Sequence, residues 1–256
     1  MSASAPRTVL VTGASGALGS VLTEQLPASG WAVRPLARRP DDALPHAVVG
    51  SVTDLDTMRR ATEGVSAIVH MGGISTPGSP WEGYLDTNIH GTWTVLEAAR
   101  LSGVPRVVLA SSNHAVGYLE RAGTPVPADA PPRPDSLYGV SKAAMEALGA
   151  FYSDEHGLTV ANLRIGSSFP RPTATRQLAT WLSYPDLVRL VLASIDGDWT
   201  GFRTVWGISR NTRRWWSLEE GERIGYHPQD DAELYADEVE GEDSPYVGGA
   251  VPPTRR

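Results

Sequence analysis

The sequence predicts an α/β fold in which a doubly wound parallel sheet is covered by helices on both faces. Three observations carry that reading. The first half of the 256-residue chain alternates short apolar runs with helical stretches. Those runs are continuously apolar over about five residues, the pattern of strands buried on both faces. A glycine-rich turn joins the first such run to the first helical stretch.

Residues 8–12 (TVLVT) read as a buried strand and residues 17–27 as the helix after it. Residues 31–37 and 47–50 give a second strand and a short third. A helix over 54–63 follows, capped by Thr53 or Asp54, whose side-chain oxygens suit the free N–H groups of a first turn. Residues 67–71 (AIVHM) form a fourth strand, 81–100 a long helix and 106–111 (RVVLAS) a fifth strand. Residues 116–136, rich in Pro, Gly and Asp, read as a loop, 137–156 as a helix and 159–165 as a sixth strand. A polar loop over 167–180, a helix over 181–195, a strand over 202–208 and a short helix and turn over 215–226 complete the order. Beyond Asp230 the chain is acidic, then rich in Gly and Pro, and reads as a surface-wrapping tail. One domain is expected over 1–256, with about residues 167–256 contributing a small C-terminal substrate-binding lobe.

The first strand runs into Thr12-Gly13-Ala14-Ser15-Gly16-Ala17-Leu18-Gly19. Gly13 allows a tight turn, Gly16 lets backbone approach a pyrophosphate, and Gly19 lets the helix pack closely on the sheet. The helix N-terminus adds free N–H groups and a partial positive charge. Between a strand and a helix, this spacing marks a Rossmann-type dinucleotide site, with Gly13, Ser15, Gly16, Ala17 and Leu18 as candidate cofactor contacts. The second strand ends Leu36-Ala37-Arg38-Arg39-Pro40. Arginines stand where a carboxylate would meet the ribose of NAD, and an arginine suits a 2′-phosphate. The cofactor is therefore expected to be NAD or NADP, with Arg38 and Arg39 favouring NADP.

Tyr138-Gly139-Val140-Ser141-Lys142 places a phenol and an amine four residues apart, on one face of a helix. A neighbouring cation lowers a phenol's pKa and makes it a base near neutral pH. Lys142 is the only lysine, against 21 arginines. The fifth strand ends Ala110-Ser111-Ser112-Asn113-His114, at the edge where parallel sheets build their sites. Ser112 is the candidate to hold a substrate hydroxyl in line; alternation alone does not decide which of Ser111 and Ser112 faces the site.

The net charge of −7 argues against nucleic acid as a partner but leaves room for a small anion held by a local arginine. Without cysteine there is no disulfide or thiolate chemistry. No apolar run reaches the roughly 18 residues that cross a bilayer, and no signal peptide is read at the N-terminus, so a cytoplasmic protein is expected. The six histidines show no metal-binding spacing, and no metal is expected.

Glycine turn, strand-end serine and Y-x-x-x-K occur in the order of the extended short-chain dehydrogenase/reductase family, which the chain resembles. His70-Met71-Gly72-Gly73 and Asn88 match it too; the resemblance implies that Met71, Gly72 and Gly73 line the cofactor channel and that Asn88 fixes the active-site helix. Within that family, several segments resemble the uronate dehydrogenases. They are Gly72-Gly73-Ile74-Ser75, Ser111-Ser112-Asn113-His114 with Gly117-Tyr118, Arg164-Ile165-Gly166-Ser167, residues 178–181 (LATW) and Val205-Trp206-Gly207.

This resemblance, over about residues 8–249, implies oxidation at C1 of glucuronate or galacturonate to an aldarolactone. It casts Tyr138 as base, Lys142 as its cationic partner and Ser112 as the orienting hydroxyl. Ser75, Asn113, His114 and Ser167 would bind the sugar, Arg176 its carboxylate, and Asn88, Ser111 and Ile165 would join the cofactor set. It also implies a homo-oligomer paired through the long helices over 81–100 and 137–156, whose apolar faces could equally serve the core. Two departures fall in the adenosine half: Arg38 replaces the acidic ribose ligand, and Ser51 stands where an adenine-contacting aspartate is expected. A nucleotide-sugar epimerase or dehydratase, or another sugar dehydrogenase, is the competing enzyme reading. A non-catalytic NADP sensor is the competing binding reading.

Overall fold

The computed structural model describes residues 7–249, apart from Pro77, Ala122 and Thr124. Seven strands, β1 (Thr8–Thr12), β2 (Ala32–Ala37), β3 (Val48–Val49), β4 (Ala67–His70), β5 (Arg106–Ser112), β6 (Thr159–Ile165) and β7 (Phe202–Gly207), form one sheet. Their order is β3-β2-β1-β4-β5-β6-β7 and every pairing is parallel. The helices are α1 (Ala17–Gln25), α2 (Leu55–Thr62), α3 (Trp81–Gly83), α4 (Gly91–Leu101), α5 (Leu137–His156), α6 (Gln177–Thr180), α7 (Tyr184–Asp196) and α8 (Glu219–Arg223). This is the doubly wound, Rossmann-like sheet that the sequence predicts.

Strand side chains alternate between two buried layers, which is why the strands read as continuously apolar. Val9, Val11, Val69 and Val108 pack with Leu22 of α1 and with Leu187, Leu190 and Val191 of α7. Leu10, Ile68, Val107 and Leu109 pack on the other face with Met58 of α2, Leu96 of α4 and Met145 of α5. A third apolar cluster joins Val116, Val126, Trp206, Trp216 and Val247.

Several boundaries differ from expectation for local reasons. The first helix stops at Gln25, and a 3-10 turn over Leu26–Ser29 follows, since Pro27 has no N–H to continue the ladder. Asp54, not Thr53, caps α2, accepting from Asp56 N. The expected helix over 81–100 is continuous but widens to a π-helix over Tyr84–His90. The helix expected from residue 181 starts at Tyr184, because Ser183 caps it and Pro185 occupies its first turn. Trp181 is extended instead and bridges Ser167. The polar loop before it closes with α6. The tail does more than wrap the surface: Ala232 and Val247 are fully buried. Its last stretch, residues 250–256, lies outside the described residues.

Candidate active site

The sheet order reverses between β1 and β4, and a crevice opens beyond their carboxyl ends, where open parallel sheets bind ligands. Gly13 there has a φ of 66°, and a Cβ on it would lie 2.7 Å from the Gly72 nitrogen. The loops after β1 and β4 cross this closely only because residue 13 is glycine. A Cβ on Gly19 would fall 2.1 Å from the Gly13 carbonyl oxygen, so α1 packs directly on the turn. The N-cap of α1, Gly16, makes no side-chain capping bond, and the first turn carries no acid. Its N–H groups suit a pyrophosphate.

A cavity of about 440 Å³ runs from this turn past Met71, Gly73 and Ile165 to Ser112, Tyr138, Lys142 and Arg176. A second, of about 290 Å³, shares Gly13, Gly16, Met71 and Gly73 and extends to Ser15, Ala37, Arg38 and Val52. Together they form a groove with room for a dinucleotide and a small sugar. Arg38 lines the second cavity, and Arg39 lines neither. Ser51 bonds the Thr53 hydroxyl at 2.8 Å.

At the reacting end, α5 carries Tyr138 and Lys142 one turn apart, with the lysine nitrogen 5.7 Å from the phenol ring centre. Ser136 caps this helix, accepting from Gly139 N. Lys142 is buried and donates to the Ala110 carbonyl at 2.6 Å. Burial pulls its pKa down to about 8, while the Glu146 carboxylate holds it up. Burial also pushes the Tyr138 hydroxyl above the usual phenol range, against a hydrogen bond with Ser112 that pulls it down. The Lys142 charge is not among the influences on this phenol, so the depression expected from it is not seen.

Strand geometry separates the two serines. Ser111 donates to Glu146 Oε1 at 2.6 Å, so its hydroxyl is engaged beneath the site although the residue lines the cavity. Ser112 accepts from His114 N and donates to Asn113 Oδ1, each at 3.2 Å.

On the sugar side, Ser75, His114, Ser167 and Arg176 all line the cavity. Ser167 bonds the Thr180 hydroxyl at 2.9 Å. Asn113 also lines the cavity, but its amide is held internally, by Ser112 and by the Val247 carbonyl at 2.9 Å. His114 Nδ1 meets the buried Asp135 carboxylate at 2.8 Å, and its ring stands edge-on to Tyr138 at 5.8 Å between centres. Asp135, which sequence reading missed, fits because Gly117 and Gly248 flank it; a Cβ on either would lie within about 2 Å of its oxygen. Burial lowers the Arg176 pKa, with Asp243 and Asp135 opposing.

Asn88, expected among the cofactor residues, does not reach the groove. Within the π-helix it accepts from Ile74 N at 2.7 Å and donates to Ile74 O at 3.0 Å and Ser141 at 2.9 Å. It ties the loop after β4 to α5. His70, the first residue of the His70-Met71-Gly72-Gly73 motif, anchors the same region. It is fully buried, and burial with the Lys142 charge lowers its pKa to about 3, so it is neutral. Thr92 donates to the Asn88 carbonyl, so His70 Nε2 must be the donor in its 3.4 Å contact with Thr92. His70 Nδ1 then accepts from Thr12, 2.7 Å away, whose oxygen accepts from Gly72 N.

A protein-family model, the NAD dependent epimerase/dehydratase family, matches residues 9–184. The chain belongs to this family. Among its relatives is a uronate dehydrogenase of Pseudomonas putida, 40% identical over 94% of this chain and 94% of that protein. An NAD-dependent glucose-6-phosphate dehydrogenase of Haloferax volcanii is 38% identical over 91% of this chain and 97% of its own. The crystal structure of a uronate dehydrogenase from Agrobacterium tumefaciens, a tyrosine-to-alanine mutant complexed with NAD, superposes with a TM-score of 0.87. It is 37% identical, covering 95% of this chain and 96% of that one. This epimerase-family chain thus resembles dehydrogenases of single sugars along nearly its whole length.

Proposed function

We propose that the protein is an NAD(P)-dependent uronate dehydrogenase that oxidises the C1 hydroxyl of glucuronate or galacturonate to the aldarolactone. The observation that carries this reading is a single cavity walled by Ser112, Tyr138, Lys142 and the guanidinium of Arg176. The glycine turn and the uncapped first turn of α1 fit a pyrophosphate, which supports Gly13, Ser15, Gly16, Ala17 and Leu18 as its seat. When bound, the oxidised nicotinamide accepts the hydride from C1, and its positive charge favours the tyrosinate.

Tyr138 takes the proton of the C1 hydroxyl. Ser112, hydrogen-bonded to Tyr138, orients that hydroxyl and opposes the rise that burial imposes on the phenol. Lys142, held on the Ala110 carbonyl, supplies the nearby cation. Arg176 pairs with the C6 carboxylate, while His114, Ser75 and Ser167 meet ring hydroxyls.

The relative solved with NAD supports NAD as the cofactor. Beyond that, we infer a preference for NADP, because Arg38 lines the adenosine end and no carboxylate among the described residues lines it. We further propose a homo-oligomer paired through α4 and α5, which expose Trp93, Leu101, Val140 and Phe151, and a cytoplasmic location. No helix among the described residues is long and apolar enough to cross a membrane.

A second reading, oxidation of an aldose 6-phosphate, is favoured by the Haloferax volcanii relative, and Arg176 suits that anion as well. The test is formation of reduced cofactor with glucuronate, galacturonate and glucose 6-phosphate, each with NAD and NADP. Reduction with a uronate is expected. Turnover of a nucleotide sugar without net reduced cofactor would overturn the reading.

A further inference from the structure

We propose that residues 246–249 form part of the acid-binding site, a strap whose Val247 carbonyl fixes Arg176 and Asn113 and so sets affinity for the C6 acid. This rests on the proposed oxidation of a sugar acid. Arg121 N–H donates to the Pro245 carbonyl at 2.8 Å, Val247 N–H to Leu119 at 2.9 Å and Gly248 N–H to Gly117 at 2.9 Å. The segment is thereby laced to the loop that leaves Ser112 and His114. The Val247 side chain is fully buried with Val116, Trp206 and Trp216, which pins the strap in place.

One carbonyl then serves two residues of the site. Val247 O accepts from Asn113 Nδ2 at 2.9 Å and from Arg176 Nη2 at 2.5 Å. Arg176 Nε is buried and has no hydrogen-bond partner among the described residues. The guanidinium is thus held through Nη2, while Nη1, which makes no hydrogen bond among the described residues, remains for a carboxylate. An arginine side chain loses much rotamer freedom when it grips an anion. Holding it beforehand removes part of that cost and tightens binding.

Gly249 completes the seat. Its φ is 74°, and a Cβ there would lie 2.5 Å from Arg176 Nε and 2.9 Å from Cζ. A side chain at 249 would displace the guanidinium, whose flexible stem yields more readily than the backbone beneath it. Val247, Gly248 and Gly249 are therefore positioning residues that touch the acid only through Arg176 and Asn113.

The test is Gly249→Ala, made in the wild-type protein and in Arg176→Ala, with the C6 acid that the wild type oxidises. In the wild-type background we expect KM for that acid to rise about tenfold or more, with kcat and NAD Kd changed less than about twofold. With Arg176 already alanine, Gly249→Ala should add nothing, because both changes remove one interaction. A second variant, the chain ended at Tyr246, removes the carbonyl itself; a larger KM rise with NAD still bound is expected, and NAD binding reports that it folds. An unchanged KM in Gly249→Ala, an equal rise in both backgrounds, or loss of NAD binding in both variants overturns the strap. Wild-type protein that oxidises no C6 acid sinks the functional reading, and the strap's role with it.

Discussion

Replacing Lys142 with Met should abolish activity and also change how stability depends on pH. Lys142 is buried, and its pKa is pulled from 10.5 to about 8 by that burial, with Glu146 opposing. At 1.36 kcal/mol per pH unit, this drop of 2.5 amounts to about 3 kcal/mol of cost for folding around the charged amine. Below pH 8 both folded and unfolded chains hold the proton, and the cost is felt in full. Between pH 8 and 10.5 the unfolded chain holds the proton and the folded one does not, so stability rises with pH. Above 10.5 neither holds it and the cost is gone.

Lys142→Met removes the titrating group but leaves the Ala110 carbonyl without its 2.6 Å donor, a loss of about 1–3 kcal/mol. The two effects nearly offset at pH 7, so the pH dependence is the cleaner measure. Urea unfolding of the cofactor-free wild type and variant, compared from pH 7 to 10, should show wild type gaining about 2.5 kcal/mol relative to the variant as the lysine deprotonates. Parallel stability curves for the two proteins would refute the reasoning, since the buried lysine would then pay no desolvation cost.

Tyr138→Phe should lower kcat by about 10²–10⁴ with NAD Kd unchanged, read by cofactor reduction and by fluorescence titration. For His70 the folded pKa of about 3 lies below the ordinary 6.5, so its contribution is present above pH 6.5 and lost as pH falls from 6.5 toward 3. His70→Gln should flatten that acid limb in unfolding experiments. Arg38→Ala should raise KM for NADP about tenfold while leaving KM for NAD nearly unchanged, as measured by initial rates with each cofactor.

Much of this architecture was legible because its signals are local. The apolar runs announced β1, β4, β5 and β6, and the glycine spacing followed from backbone contacts that leave no room for a Cβ. The Tyr138–Lys142 spacing needed only the period of a helix. What escaped depends on chain segments far apart in sequence. Nothing around Asp135 marks it as the partner of His114, because its space is made by Gly117 and by Gly248, which lie far apart in sequence. Val247 reads as one more apolar residue in a Gly-rich tail, and its importance lies in a main-chain carbonyl. The break before α7 was readable in principle: Ser183 followed by Pro185 is a helix start, outvoted by the apolar periodicity that continues through Trp181 and Leu182.

Arg164 shows why a residue's place on the sheet matters more than its charge. It lies in the shared R-I-G-S segment, where an arginine in an acid-binding enzyme invites reading as an anion clamp. It is instead almost fully buried, forked onto Glu146 at 2.7 and 3.0 Å, with Nη1 donating to the carbonyls of Ala128 and Ala130 at 2.8 Å. Glu146 in turn accepts from Ser111. The pair therefore binds together β5, β6, α5 and the loop between β5 and α5, the elements that carry Ser112, Tyr138 and Lys142.

A buried ion pair gains little net stability over an apolar packing, but losing one partner strands the other at a cost of about 3–5 kcal/mol. That asymmetry suits a brace, since the elements cannot drift apart without breaking it. Glu146 does a second job one helical turn from Lys142, where its carboxylate keeps the amine more basic than burial alone would allow. Strand residues such as Arg164 are committed to holding the sheet. Among the described residues, the arginine that lines the cavity with Ser112, Tyr138 and Lys142 is Arg176, held by an edge on the Val247 carbonyl.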